Sequence, residues 1–137
     1  MSEVKVLHPT PYSMETEGVS ISVVPEYLDD ESDIEEQRYC YAYTVTIHNL
    51  RTDSVQLLRR HWLVESNGTL VTEVKGDGVV GEQPVLAPGA SYTYTSGTII
   101  PDPLGAMEGS YFFENANGDE VEVSIPRFDL VAPSMLQ

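Results

Sequence analysis

The chain has 137 residues and carries 22 Asp and Glu against 7 Lys and Arg, a formal charge of −15. That length suits one domain with a core that needs no staples, and so acidic a surface repels nucleic acid and anionic membranes. The single cysteine, Cys40, excludes an intramolecular disulfide and stands alone, with no second cysteine to form a redox or metal motif.

From the N-terminus, Met1 to Thr10 contains no apolar run of signal-peptide length, and no run in the chain approaches the roughly 20 residues of a membrane span. The expectation is a cytoplasmic protein without membrane insertion. Period-two alternation then dominates. Val19, Ile21 and Val23 share one face, with Ser20 and Ser22 opposite. From Glu26 to Glu36 seven carboxylates crowd a loop, which predicts an extended, solvated segment. It lacks the glycine and closing glutamate of an EF-hand, so no metal site is expected there. Tyr39, Tyr41, Tyr43, Val45 and Ile47 form the longest clean alternation.

Val55 to Glu65 is apolar on both parities: Leu58, Trp62 and Val64 on one, Val55, Leu57 and Leu63 on the other. That pattern suits a strand covered on both faces, or one whose outer face meets a second copy in a homo-oligomer. Trp62, the only tryptophan, is the expected anchor of the core. Asn67-Gly68 and Asn117-Gly118 mark hairpin turns, Pro88-Gly89 precedes a strand from Ser91 to Ser96, and Pro101-Asp102-Pro103 makes another break. Val121, Val123 and Ile125 alternate with Glu120, Glu122 and Ser124 near the C-terminus. No long segment has helical periodicity. The expected fold is all-β: an antiparallel sandwich of about seven strands, of immunoglobulin or fibronectin type III kind, in a single domain spanning 1–137.

Two segments are chemically distinctive. Gly76, Gly78 and Gly81 form a GxGxxG pattern. A dinucleotide-binding unit would open a helix after the last glycine, but here Pro84 follows and Pro88-Gly89 ends any such helix within one turn. The glycines therefore belong to a loop between strands. Either their backbone N–H groups cradle a phosphate-like anion or the glycines serve backbone angles barred to other residues. Arg59, Arg60 and His61 are three consecutive cationic or ionisable residues in an acidic chain. They either pair with carboxylates or complete the anion site, and Asp77 and Glu82 place negative charge beside it. His8, His48 and His61 lack metal-ligand spacing, and no GxSxG elbow is present. No catalytic residue, metal or cofactor is predicted.

Several stretches together resemble the ApaG family of small bacterial proteins, whose domain also closes certain F-box proteins. They are Arg60-His61-Trp62, Gly76 to Pro84, Tyr94-Thr95-Ser96-Gly97, Gly105 to Tyr111 and Ile125 to Leu130, within a core of about 19–133. The resemblance implies a fibronectin-like sandwich and a link to cobalt and magnesium homeostasis, but supplies no catalytic residues. The leading reading is a non-enzymatic module that binds a partner protein or small ligand. The alternatives are a phosphate or pyrophosphate sensor using the glycine loop, and an enzyme acting on phosphorylated metabolites.

Overall fold

The computed structural model describes residues 11–135, so His8 lies outside the described residues. Nine strands form two antiparallel sheets: β1 (Tyr12–Thr16), β2 (Val19–Tyr27), β3 (Tyr39–Asn49), β4 (Val55–Ser66), β5 (Thr69–Asp77), β6 (Val85–Leu86), β7 (Ser91–Ile100), β8 (Leu104–Asn115) and β9 (Glu120–Val131). One sheet runs β1-β2-β3-β7, the other β5-β4-β8-β9, with β6 beside the start of β4. The seven strands β2, β3, β4, β5, β7, β8 and β9 are the sandwich expected from the sequence, and β1 and β6 are additions to it. β1 was not legible as a strand: Tyr12–Thr16 alternates no apolar set, and it forms by pairing with β2 across the Glu17-Gly18 turn, both at positive φ.

The alternating residues do what their period predicts. Val19, Ile21, Val23, Val45 and Ile47 are fully buried from one sheet, and Leu57, Tyr111, Phe113, Val123 and Phe128 from the other. Burying each such side chain contributes roughly 1.5–3 kcal/mol. Trp62 is 2% exposed and sits between the sheets. Its ring centroid lies 5.2 Å from Tyr43, 6.2 Å from Tyr111 and 5.9 Å from Phe128, the last two edge-on.

Turn chemistry sets the registers. Asn67 (φ 49) and Gly68 (φ 83) join β4 to β5 in a two-residue type I′ turn. At the other Asn-Gly pair only Gly118 (φ 84) has positive φ. There the Asn115 side-chain oxygen accepts from the N–H groups of Asn117 and Asp119 and organises the loop.

The acidic loop departs from expectation. It folds into a 3-10 turn (Asp29–Glu31) and a tight connection in which Asp33 and Arg38 bridge. Local hydrogen bonds compete successfully with charge repulsion: Ser32 Oγ donates to Leu28 O and accepts from Cys40 N–H, while Cys40 Sγ donates to Glu31 O. The carboxylates point outward into water, where mutual repulsion is screened.

Candidate functional site

The β4–β5 hairpin assembles the residues singled out in the sequence. With the turn fixed at Asn67-Gly68 and a bulge near Val64, Arg59 stands opposite Asp77, Arg60 opposite Gly76, and His61 opposite Lys75. The three basic positions and the first glycine are thus cross-strand neighbours.

A second irregularity decides where each side chain goes. Between Leu57 and Arg59 the β4–β8 register slips by one residue. Such a bulge reverses which parity faces the core. Before it the buried residues are Val55 and Leu57; after it they are Trp62, Val64 and Ser66. The strand is therefore covered on one face throughout, which corrects the two-faced reading of its sequence. Arg60 shares the inward parity of Trp62, while Arg59 and His61 point outward.

On the outer face, Arg59, His61, Lys75, Asp77 and Phe112 surround the Arg60–Gly76 backbone in an open groove of about 470 Å³. Arg59 lies over the Phe112 ring, 4.5 Å from its centroid, and its Nη2 donates to Glu120 Oε1 at 2.7 Å. His61 Nε2 is 2.6 Å from Glu73 Oε2, and Lys75 Nζ is 3.9 Å from the same oxygen. The His61 hydrogen bond, helped by the Lys75 charge, holds the Glu73 carboxyl below its usual range. Intramolecular pairing thus occupies these cations in part. All of these pairs are solvent-exposed, so each contributes little to stability and can exchange for a ligand at small cost. Lys75 and Phe112 were not singled out from sequence. Counting back from the Asn67-Gly68 turn would have placed Lys75 within one residue of His61; Phe112 had no local signal.

On the inner side, the Arg60 guanidinium lies across Gly76. A Cβ there would meet Nη1, Cζ and Nη2 at 2.9–3.0 Å, so a larger residue would push the guanidinium from this position. Nη1 donates to the carbonyls of Asp77 (2.8 Å) and Gly78 (2.9 Å).

The glycine loop is an excursion in an otherwise continuous edge. β5 leaves β4 after Asp77, and β6 rejoins it opposite Val55 and Gln56. Between them Val79 and Glu82 exchange N–H···O bonds of 2.8 Å around Val80 (φ 44) and Gly81 (φ 80), a miniature type I′ hairpin. Gly78 (φ 61) donates its N–H to Leu58 O at 2.8 Å, and a Cβ there would lie 2.2 Å from Glu82 O. The N–H groups of Gly78, Val79 and Glu82 are accordingly spent on backbone carbonyls. Gln83 completes the closure by donating its side-chain N–H to Leu58 O at 2.9 Å. The structure brings Gly76 to the basic residues directly. Gly78 and Gly81 border the inner side and shape it.

Comparison with known proteins identifies the family. The ApaG domain model matches residues 29–115. Protein ApaG of Methylobacterium sp. (strain 4-46) is 48% identical over 89% of this chain and 94% of its own length. Protein ApaG of Rhodospirillum centenum is 49% identical over 89% of this chain and 94% of its own. A crystal structure of an ApaA protein from Bordetella pertussis superposes with a TM-score of 0.81 at 41% identity, covering 91% of this chain and 98% of that one. The chain belongs to the ApaG domain family.

Proposed function

From family membership and the chemistry of the outer groove, we propose that this chain is a non-enzymatic cytoplasmic binding module whose β4–β5 groove takes an anionic, phosphate-bearing small molecule. One observation carries the reading. Arg59 and Lys75 are two of only seven Lys and Arg in a chain of charge −15, and they border one groove together with His61. A local cationic patch in an acidic field is the arrangement that attracts an anion to one place and nowhere else. Recognition would rest mainly on side chains, because the N–H groups of Gly78, Val79 and Glu82 are bonded to backbone carbonyls. Arg59 can offer its guanidinium fork while Phe112 supports an apolar or planar portion of the ligand. A link to cobalt and magnesium physiology would then be indirect, through the anion: among the described residues no three His, Cys, Asp or Glu converge as a metal site.

The test is amide-shift titration with pyrophosphate and adenine nucleotides. Saturable shifts at Lys75, Gly76 and Asp77, lost in Lys75→Gln with the fold intact, support the reading. No shift at millimolar ligand overturns it. A second reading, partner-protein binding, is favoured by a different observation. β5 is an edge strand, and its Leu70 (56% exposed) and Val71 (44%) are solvent-facing. An unpaired edge with exposed apolar residues accepts an added strand, from a partner or from another copy of this chain. Concentration-dependent sedimentation that reverts in Val71→Lys would favour it.

A further inference from the structure

The strands that end the two sheets are not alike. β1 and β9 pack against each other and close one side of the sandwich, which leaves β5 and β7 as the open edges. β5 carries the usual protection of an edge strand, with Glu73, Lys75 and Asp77 along it. β7 carries none. Ser91–Ile100 contains no charged residue and no proline, and its register with β3 runs without a bulge. Asn49 N–H donates to Ala90 O at 3.0 Å, which fixes the phase of that ladder. By antiparallel alternation, Tyr92, Tyr94, Ser96, Thr98 and Ile100 bond to β3, while the N–H and C=O groups of Ser91, Thr93, Thr95, Gly97 and Ile99 face away from it. All five of these outward residues are exposed, Ile99 at 52%.

The neutral zone is two strands deep. The chain has 22 Asp and Glu and 7 Lys and Arg, yet Tyr39–Asn49 of the neighbouring β3 also contains none of the four. Every other strand longer than two residues carries at least one. The first carboxylate across the sheet from Gly97 is Glu26 of β2. It stands two strands in, about 10 Å at ordinary strand spacing, which is about one Debye length in physiological salt. Beneath β7, Asp77 and Arg60 border the same concavity and offset each other. A basic partner would gain from carboxylates beside its docking edge. Their absence favours a partner that is itself acidic, such as a second copy of this chain, whose charge of −15 opposes association everywhere else. The edge is also preorganised: the Thr93 and Thr95 hydroxyls bond to those of Thr46 (3.1 Å) and Thr44 (2.9 Å), which ties β7 to its neighbour on the outer face.

We propose that β7 is a self-association edge: two copies of the chain pair antiparallel through it, about a two-fold axis at Thr95, and join their four-stranded sheets into one. The axis follows from parity. Outward backbone groups must meet outward ones, and only a centre on Thr95 engages all five residues, with Thr93 across from Gly97 and Ser91 across from Ile99. The pairing forms up to about ten N–H···O bonds and brings no two like charges together along the strand. It is independent of the anion groove on β4–β5 and uses a different edge from Leu70 and Val71.

Sedimentation of the full chain from micromolar to millimolar concentration should show a monomer–dimer equilibrium. Added salt should strengthen it, because salt screens the repulsion between two acidic copies. Amide exchange reads the edge residue by residue. The Thr93, Thr95 and Gly97 N–H groups should exchange at least about tenfold more slowly at the high concentration, while Tyr94 and Ser96, already bonded to β3, change little. Thr95→Lys sets two ammonium groups against each other at the axis and should abolish both effects, whereas Val71→Lys on β5 should leave them in place. Should Thr95→Lys not fold, Ile99→Lys supplies the check, since that side chain is exposed and its substitution leaves the threonine pairs intact. A chain that stays monomeric at millimolar concentration overturns the proposal. So does a dimer that persists in the folded lysine variants, one that salt dissolves, or one whose concentration-dependent protection falls on β5 instead of β7.

Discussion

The two loop glycines of positive φ offer a direct comparison between steric demand and backbone conformation. Replacing Gly81 by alanine adds a Cβ with nothing within 4 Å, at φ +80. The cost is the left-handed conformation alone, about 1–2 kcal/mol. Replacing Gly78 adds the same conformational cost at φ +61, and its Cβ would lie 2.2 Å from the Glu82 carbonyl oxygen and 3.2 Å from Gln83 Cγ. A backbone carbonyl cannot swing aside as a side chain can, so the miniature hairpin must shift. The Glu82 oxygen accepts from Val79 N–H, and the Gly78 N–H binds Leu58 O, so two hydrogen bonds are exposed to that shift. At about 1 kcal/mol for each bond weakened, Gly78→Ala should cost about 3–4 kcal/mol in all. Urea unfolding of both variants at constant m value measures the difference. Gly78→Ala destabilising no more than Gly81→Ala would refute the steric argument. Unchanged stability with lost pyrophosphate binding would return the loop to the role of an anion cradle.

Trp62→Ala should destabilise by about 3–5 kcal/mol, the range for truncating a large buried aromatic, as read from the urea midpoint. Neutralising Asp29, Asp30 and Glu31 to amides should leave the midpoint within about 0.5 kcal/mol of the parent, since these side chains are exposed and carry none of the loop's structural hydrogen bonds. At the acid end, Glu65 and Glu73 have pKa values lowered from 4.5 by the Arg127 and His61 hydrogen bonds respectively. Their contribution is complete above pH 4.5 and declines as pH falls through the depressed values. The double change Glu65→Gln, Glu73→Gln should therefore flatten the stability profile below about pH 4.5, and an unaltered acid limb would count against it. At the alkaline end the sign reverses. Burial raises Tyr41 from 10.0 to about 12, so its contribution is complete below pH 10 and is lost as pH rises through 12. Ultraviolet titration should show Tyr41→Phe removing one late-ionising phenol.

Sequence period and turn chemistry carried most of the fold. Val45 and Ile47 could be assigned to the core because their neighbours Thr44, Thr46 and His48 are polar, and a strand offers only two faces. Asn67-Gly68 could be assigned to a hairpin because both positions tolerate positive φ. The failures share one cause. β6 and the parity of β4 depend on pairing partners far along the chain, and β1, although it pairs with adjacent β2, packs against distant β9. The β4 bulge lies against Phe112 and Phe113 of β8, fifty-odd residues away in the chain. Nothing within Val55–Ser66 announces it. Period-two counting therefore placed Leu58 with Trp62, one residue out of phase. The consequence reaches function, since that one residue puts Arg60 inside and leaves Arg59 and His61 outside.

The glycine pattern makes the same point from the other direction. GxGxxG at the start of a helix binds pyrophosphate because the first-turn N–H groups have no intrahelical partner and converge on the ligand. Here the identical spacing closes a hairpin. The N–H groups of Gly78, Val79 and Glu82 meet carbonyls at 2.8 Å, Val79 is buried at 0% exposure as a plug beneath the turn, and the first glycine makes room for a guanidinium. The physical content of the motif is where the chain may go, left-handed or close-packed, and the following residues decide what that permits. Pro84 prevents a helix and returns the chain to β4, with Leu57 N–H donating to its carbonyl at 3.0 Å. A proline-to-alanine change at this position retains that acceptor and should leave the loop closed. Gln83→Ala removes the bond to Leu58 O and should loosen it. Hydrogen exchange at Gly78 distinguishes them: faster exchange in Gln83→Ala with Pro84→Ala near the parent supports a loop held by its backbone and Gln83. The opposite order would mean that proline stiffness, rather than hydrogen bonding, keeps the glycine loop closed.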